Sequence, residues 1–188
     1  LAMVGFGRLA KSEGLGGTVK EIKGEERFVM VKGETKVTIV EFSDFQCPAC
    51  RAAQGLVKQI EEKEGVKVVY RHFPLSNIHK NAQLAAEAAE AAFDQGKFWE
   101  YHDVLFAKQA DWSEEKNPKE KFVVYAKELG LDDGRFEKAL EERVFKQKVV
   151  SDYQEGLRLG LRGTPSFFVN GREVKIDKLL GEVESLLK

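Results

Sequence analysis

Cysteine is scarce in this sequence, and the scarcity excludes more than any other property. Among 188 residues there are two, Cys47 and Cys50. A small secreted scaffold stapled by several disulfides needs more. So does an all-cysteine zinc site, which takes four ligands. An excess of charge of one sign is also missing. Lys and Arg total 30 against 31 Asp and Glu, for a formal net charge of -1, whereas nucleic-acid binders usually carry a basic excess or stripe. No run reaches the ~20 apolar residues that span a bilayer, and there is neither an internal repeat nor a low-complexity tract. What is present, 43% hydrophobic and 32% charged residues, is the balance of a folded domain. The length suits one domain, or one domain with an insertion, and can bury a core without cross-links.

The chain starts with Leu1 and reads as a trimmed or processed product. Its mildly apolar opening, followed by Arg8 and Lys11, fits either the end of a removed signal or membrane anchor, or an incidental flexible start. Residues 1–26, rich in Gly, Lys and Glu, are expected to form an N-terminal extension.

Beyond them the pattern gives strands at 28–31 and 37–42, the second nearly continuous and β-branched, as suits a strand buried on both faces. Its one charged residue is Glu41. A helix follows from Pro48, whose missing N–H costs nothing in a first turn, to about residue 64, closed by Gly65. The next strand covers 66–73, completing a β-α-β unit with parallel strands. The period then turns helical. Helices are expected at 81–93, 98–109, from Pro118 to about 129, at 135–142 with Asp132 as N-cap, and at 144–159. Strand character returns at 166–169, Asn170-Gly171 signals a type I′ hairpin, and a strand at 172–175 precedes a closing helix over 176–188.

Cys47-Pro48-Ala49-Cys50 opens a helix directly after a buried strand. Unpaired N–H groups and the positive end of the helix dipole stabilise a thiolate at Cys47. Cys50, one turn further in, is placed to attack a mixed disulfide at Cys47. The oxidised pair closes a loop too small to add much stability, so its use is as a two-electron couple. A zinc reading would borrow two of His72, His79 and His102, but no H-x(3–5)-H pair supports it. His72 and His79 read as surface or packing residues beside the Pro74 loop. Phe98, Trp99 and Tyr101 read as helical core or its seam with the sheet, and the Glu/Lys-rich 114–121 as a solvated face. A second signal is Gly163-Thr164-Pro165-Ser166, with a proline at a strand start where it cannot donate to the ladder.

Four ordered segments carry a resemblance: Val37 to Cys50, Tyr70-Arg71-His72-Phe73-Pro74-Leu75, Gly96-Lys97-Phe98-Trp99, and Gly163 to Gly171. Over residues 28–188 the chain resembles the DsbA-like thiol-disulfide oxidoreductases of the thioredoxin superfamily, on their BdbD-like branch. The resemblance implies an α/β thioredoxin fold interrupted by an inserted all-helical domain, divided as 27–78 with 161–188 around 79–160. It implies that Cys47 is the nucleophile and Cys50 the resolving thiol, with Pro48 and Ala49 between them. Thr164 and a cis Pro165 would face them and align a substrate strand. Glu41 would be the buried acid beneath the pair, relaying a proton to or from Cys50; read as sequence alone, it fits a solvated edge position as well. The family's most oxidising members often have His in the intervening dipeptide, where this chain has Pro48-Ala49.

The expected function is introduction of disulfides into reduced or misoxidised polypeptides outside the cytoplasm, in the periplasm or at the outer face of a membrane. A membrane quinone-linked reoxidase would restore the disulfide. No cofactor, metal or nucleic acid is expected, and nothing demands more than a monomer. The competing readings are a reductase or isomerase of the same fold, and a non-redox module that binds glutathione conjugates or acts as a chaperone.

Overall fold

A computed structural model describes residues 18–188. The expected extension therefore lies outside the described residues up to position 17. Among the described residues there are five strands and eight helices. They are β1 (Phe28–Lys32), β2 (Val37–Ser43), α1 (Pro48–Glu61), β3 (Val66–His72), α2 (Ala82–Phe93), α3 (Phe98–Ala107) and α4 (Gln109–Trp112). Then come α5 (Lys119–Glu128), α6 (Asp133–Glu141), α7 (Lys146–Arg158), β4 (Ser166–Val169), β5 (Arg172–Val174) and α8 (Ile176–Leu187).

The strands form one mixed sheet in the order β1-β3-β2-β4-β5. β2 and β3 run parallel, with Val37 opposite Val66 and Ser43 opposite His72, and the other pairings are antiparallel. The long apolar runs of β2 and β3 follow from this central position, since both of their faces are covered. Val37, Ile39, Val66, Val68, Phe167 and Val169 face α1 and α8, packing on Ala53, Val57, Leu179 and Val183. Val40, Phe42, Val69 and Phe168 pack on the opposite side with Phe73, Leu159 and Leu161. At the hairpin, Asn170 (φ 47°) and Gly171 (φ 78°) take the left-handed conformations that a type I′ turn needs.

The third core belongs to the helices between β3 and β4 and reaches the sheet. Tyr101, Leu105, Phe122 and Phe136 share it with Phe28, Phe45, Tyr70, Cys47 and Cys50. Phe28 of β1 stacks on Phe98 of α3 with ring centroids 3.7 Å apart, so Phe98 forms the seam. The continuous helix expected over 98–109 is broken at Lys108 (φ −95°, ψ 16°). The break turns Gln109 and Trp112 inward; both are buried, and the Trp112 indole N–H donates to the Leu105 carbonyl at 2.9 Å.

Candidate active site

β2 ends at Ser43, and Asp44-Phe45-Gln46 turns the chain into α1. The Asp44 carboxylate holds that turn by accepting from the N–H groups of Gln46 (2.7 Å) and Leu75 (2.9 Å), and its Oδ2 lies 2.7 Å from His79 Nδ1. The Gln46 side chain bonds the Asn81 N–H and the Ser113 carbonyl. Cys47 thus becomes the N-cap of α1, with Pro48 in the first turn. Both cysteines are free thiols and both are buried, Cys47 at 7% exposure and Cys50 at 0%, while Pro48 and Ala49 face solvent. The structure brings Thr164 to the pair, and the Cys47 thiol donates to its carbonyl at 3.6 Å. The Thr164–Pro165 bond is cis.

This surrounding separates the two thiols electrostatically. Cys47 is lowered to about 5, chiefly by the Cys50 thiol donating to it, with help from the Thr164 side chain and from the N–H groups of Cys50 and Ala49 and against the desolvation of burial. Cys50 is pushed far up by burial first and by Cys47 second. One thiolate is therefore present at neutral pH, on the sulfur nearer solvent.

Glu41 lies on the α1 face of β2, between Ile39 and Ser43 and opposite Tyr70 and Phe167. It is 1% exposed, so the solvated alternative does not hold. Burial raises its carboxyl to about 7; Ser43 opposes the rise, the Glu61 carboxylate adds a smaller push upward, and Gln54 a smaller one downward. The Tyr70 hydroxyl beside it is buried without a hydrogen-bond partner. A buried acid that titrates near neutrality and shares the Gln54 amide with the Cys50 carbonyl is suited to proton exchange.

Sequence reasoning did not single out Asp44, Gln46, Gln54 or Gln109. Each is an ordinary polar residue with no periodic signature. Asp44 and Gln46 sit beside the Cys-x-x-Cys, and that proximity is the one signal that marks them.

The three histidines do not converge on the cysteines. His72 is wholly buried, ringed by Phe28, Phe45, Tyr70 and Phe98. His102 is also buried and pairs with Asp103, while His79 pairs with Asp44. Among the described residues, the group with donor atoms close enough to hold a metal is His72, Glu90 and Asp152. Arg27 already bonds both carboxylates, at 2.6 and 2.9 Å, and Arg71 bonds Asp152 at 2.7 Å. This is a buried ion-pair network, and a cation would have to displace guanidinium groups. Among the described residues no helix is long and apolar enough to cross a membrane.

An open cleft of about 580 Å³ borders the pair, lined by Ala49, Pro165, Phe167, Val174 and Ile176 among others.

The model of the family described as Thioredoxin matches residues 25–188. The structure of oxidised BdbD from Bacillus subtilis is similar, with a TM-score of 0.76 and 26% identity, covering 91% of this chain and 97% of that one. A thioredoxin-like oxidoreductase from Silicibacter pomeroyi gives a TM-score of 0.68 at 29% identity, covering 84% and 90%. The Na(+)/H(+) antiporter NhaA 3 of Salinispora tropica is 39% identical over 165 residues, 87% of this chain but 24% of the antiporter. The chain thus spans about a quarter of the length of the curated relatives it matches.

Proposed function

The chain belongs to the thioredoxin family, in its DsbA-like form, and from that membership we propose that it is a protein thiol-disulfide oxidoreductase that introduces disulfides into extracytoplasmic polypeptides. Cys47 and Cys50 carry the exchange in this reading, with Thr164 and Pro165 receiving the substrate backbone. The observation that carries it is the split between the two thiols. A stabilised thiolate at Cys47 stabilises the reduced form, so the disulfide form is a ready acceptor of electrons.

In the oxidised enzyme a substrate thiolate attacks Cys47 Sγ. The Cys47–Cys50 bond breaks, and Cys50 leaves with the electron pair and takes a proton, for which Glu41 is the near source. A second substrate thiolate then attacks the substrate sulfur of the mixed disulfide, and Cys47 leaves as a thiolate. Two electrons pass from substrate to enzyme, and the substrate keeps the new disulfide. A membrane quinone-linked partner then takes the two electrons from the enzyme dithiol and restores the Cys47–Cys50 disulfide. The matched antiporters join a stretch like this one to a membrane protein, which supports a placement at a membrane.

A reductase would run the same steps in reverse, and an isomerase would begin with the same attack of the Cys47 thiolate on a substrate disulfide and end with no net transfer of electrons. Equilibration with glutathione separates the directions: the oxidase reading expects a potential well above thioredoxin's ~−270 mV, and a value at or below it overturns that direction. Substrate handling is tested with Cys50→Ala under oxidising folding with glutathione disulfide: Cys47, first converted to its mixed disulfide with glutathione, should exchange the glutathione for a thiol of an unfolded polypeptide and accumulate the resulting mixed disulfide. If none form, the oxidoreductase reading fails.

A further inference from the structure

The segment that delivers Cys47 is held from the helical side. Gln109 opens α4, and the kink at Lys108 points it inward, where it is 5% exposed. Its Nε2 donates to the Phe45 carbonyl at 2.7 Å and to the Cys47 carbonyl at 3.0 Å. Both hydrogens of one buried amide are therefore spent on the loop between β2 and α1. The same Cys47 carbonyl accepts the Arg51 N–H at 3.2 Å, the first bond of α1. A position needed only for packing would be filled by an apolar side chain, whereas a buried amide is tolerated where its donors are satisfied.

Peptide units are planar, so the direction of a carbonyl fixes the torsion that precedes it. At Cys47 that torsion, ψ 122°, decides where the first turn of α1 stands relative to the Cys47 sulfur. The N–H groups of Ala49 and Cys50, which stabilise the Cys47 thiolate, lie in that turn. We propose that Gln109 is a positioning residue for the thiol chemistry: from the helical block it clamps the carbonyls of Phe45 and Cys47 and so keeps the first turn of α1 aimed at the Cys47 sulfur. The helices between β3 and β4 are then part of what sets the redox properties of the pair, beyond covering it. The inference rests on the oxidoreductase reading.

Three variants of the full chain test it. Gln109→Met removes both donors at similar size, and Gln109→Glu puts acceptors in their place. Phe136→Leu, at a buried position of α6 that packs on Tyr101, is the control for general loosening of the helices. Titration of the Cys47 thiolate by ultraviolet absorbance and equilibration with glutathione are the readouts. Both Gln109 variants should hold about tenfold less thiolate at a given pH below the midpoint, and their equilibrium constants should fall about tenfold, ~30 mV, with Phe136→Leu unchanged. Parent-like values in the Gln109 variants, or an equal shift in Phe136→Leu, overturn the positioning role and leave the oxidoreductase reading intact. A parent protein that does not exchange with glutathione overturns that reading and this inference with it. Should the variants not fold, nitrogen-15 spectra of the parent decide: the Gln109 carboxamide signal should move between dithiol and disulfide forms, and an unmoved signal overturns the proposal.

Discussion

Glu41 and Cys50 share one donor. Gln54 Nε2, from the next turn of α1, lies 3.2 Å from the Cys50 carbonyl and 3.4 Å from Glu41 Oε1. The carboxyl under the redox pair is thereby tied to the helix turn that carries the resolving thiol.

Replacing that carboxyl tests whether it moves protons. Glu41→Gln keeps the shape and removes the titration. Exchange with a dithiol peptide at pH 7 should slow by about a hundredfold, the lower end of general acid–base effects, as read by stopped-flow fluorescence. Stability should change in the opposite direction. The folded Glu41 carboxyl is raised from 4.5 to about 7, so its contribution is full below pH 4.5 and is lost as pH rises to about 7. The loss is on the order of 3 kcal/mol. Glu41→Gln should lack that fall and be more stable than the parent at pH 8 in urea titrations. A parent-like rate would remove Glu41 from the chemistry.

The cysteines predict a second pH dependence with the opposite sign. Cys47 is lowered from 9.0 to about 5 in the folded dithiol form. Between those values the unfolded chain holds a proton that the folded chain has released, so folded stability rises with pH across this window. Above pH 9 the raised Cys50 reverses the trend, because the unfolded thiol ionises and the folded one does not. Glu41 is present in both redox forms, so its fall cancels in their difference. The stability of reduced minus oxidised protein should therefore climb from pH 5 to 9 in paired thermal melts. A flat difference would mean that Cys47 is an ordinary thiol.

The elements around the proposed chemistry were legible because they have periodicity or a motif. β2 and β3 read as buried from their unbroken apolar runs, the helices from their spacing, and Cys47, Cys50, Thr164 and Pro165 from ordered segments with a family resemblance. The kink at Lys108 was not legible, because the apolar pattern of 98–109 continues through it and a tertiary demand, the inward turn of Gln109 and Trp112, broke the helix. Asp44, Gln46, Gln54 and Gln109 were invisible for a related reason. Asp44, Gln46 and Gln109 bond backbone distant in sequence and Gln54 reaches the Glu41 side chain on β2, and nothing in the local pattern announces these partners. The burial of Glu41 was left open by its charge and settled by its place in the centre of the sheet.

The buried ion pairs at the seam give a third expectation. The Arg27 guanidinium bonds Glu90 and Asp152 with all three side chains at 5% exposure or less. Burial already pushes the Glu90 carboxyl up to about 7 despite Arg27, and Arg27→Met would leave two buried carboxylates short of their cation. Removing one partner from such a network costs about 3–5 kcal/mol. The loss should show in urea denaturation at pH 8 and shrink toward pH 5, where the Glu90 carboxyl protonates. An equal loss at both pH values would mean that Arg27 contributes by packing.

Gly156 provides a test of packing between α7 and the sheet. A Cβ there would run into the ring of Phe73 and come within 3.4 Å of Phe42. The Phe73 ring cannot easily yield, since it stacks on Tyr153 with centroids 4.7 Å apart and meets Phe42 edge-on at 6.4 Å. Gly156→Ala should therefore destabilise by about 1–3 kcal/mol through overpacking, outweighing the gain in helix propensity. Gly181, inside α8 with nothing within 4 Å of its Cβ position, is the matched opposite. There the same substitution should stabilise by about 0.5–1 kcal/mol, the cost of glycine in a helix interior. Phe73 also begins the loop whose Leu75 N–H bonds Asp44, so the strain of Gly156→Ala has a route to the turn before Cys47. Its dithiol form should lose some of the rise in stability between pH 5 and 9, while Gly181→Ala should keep all of it. Equal and opposite stability changes with identical pH curves would confine Gly156 to packing alone.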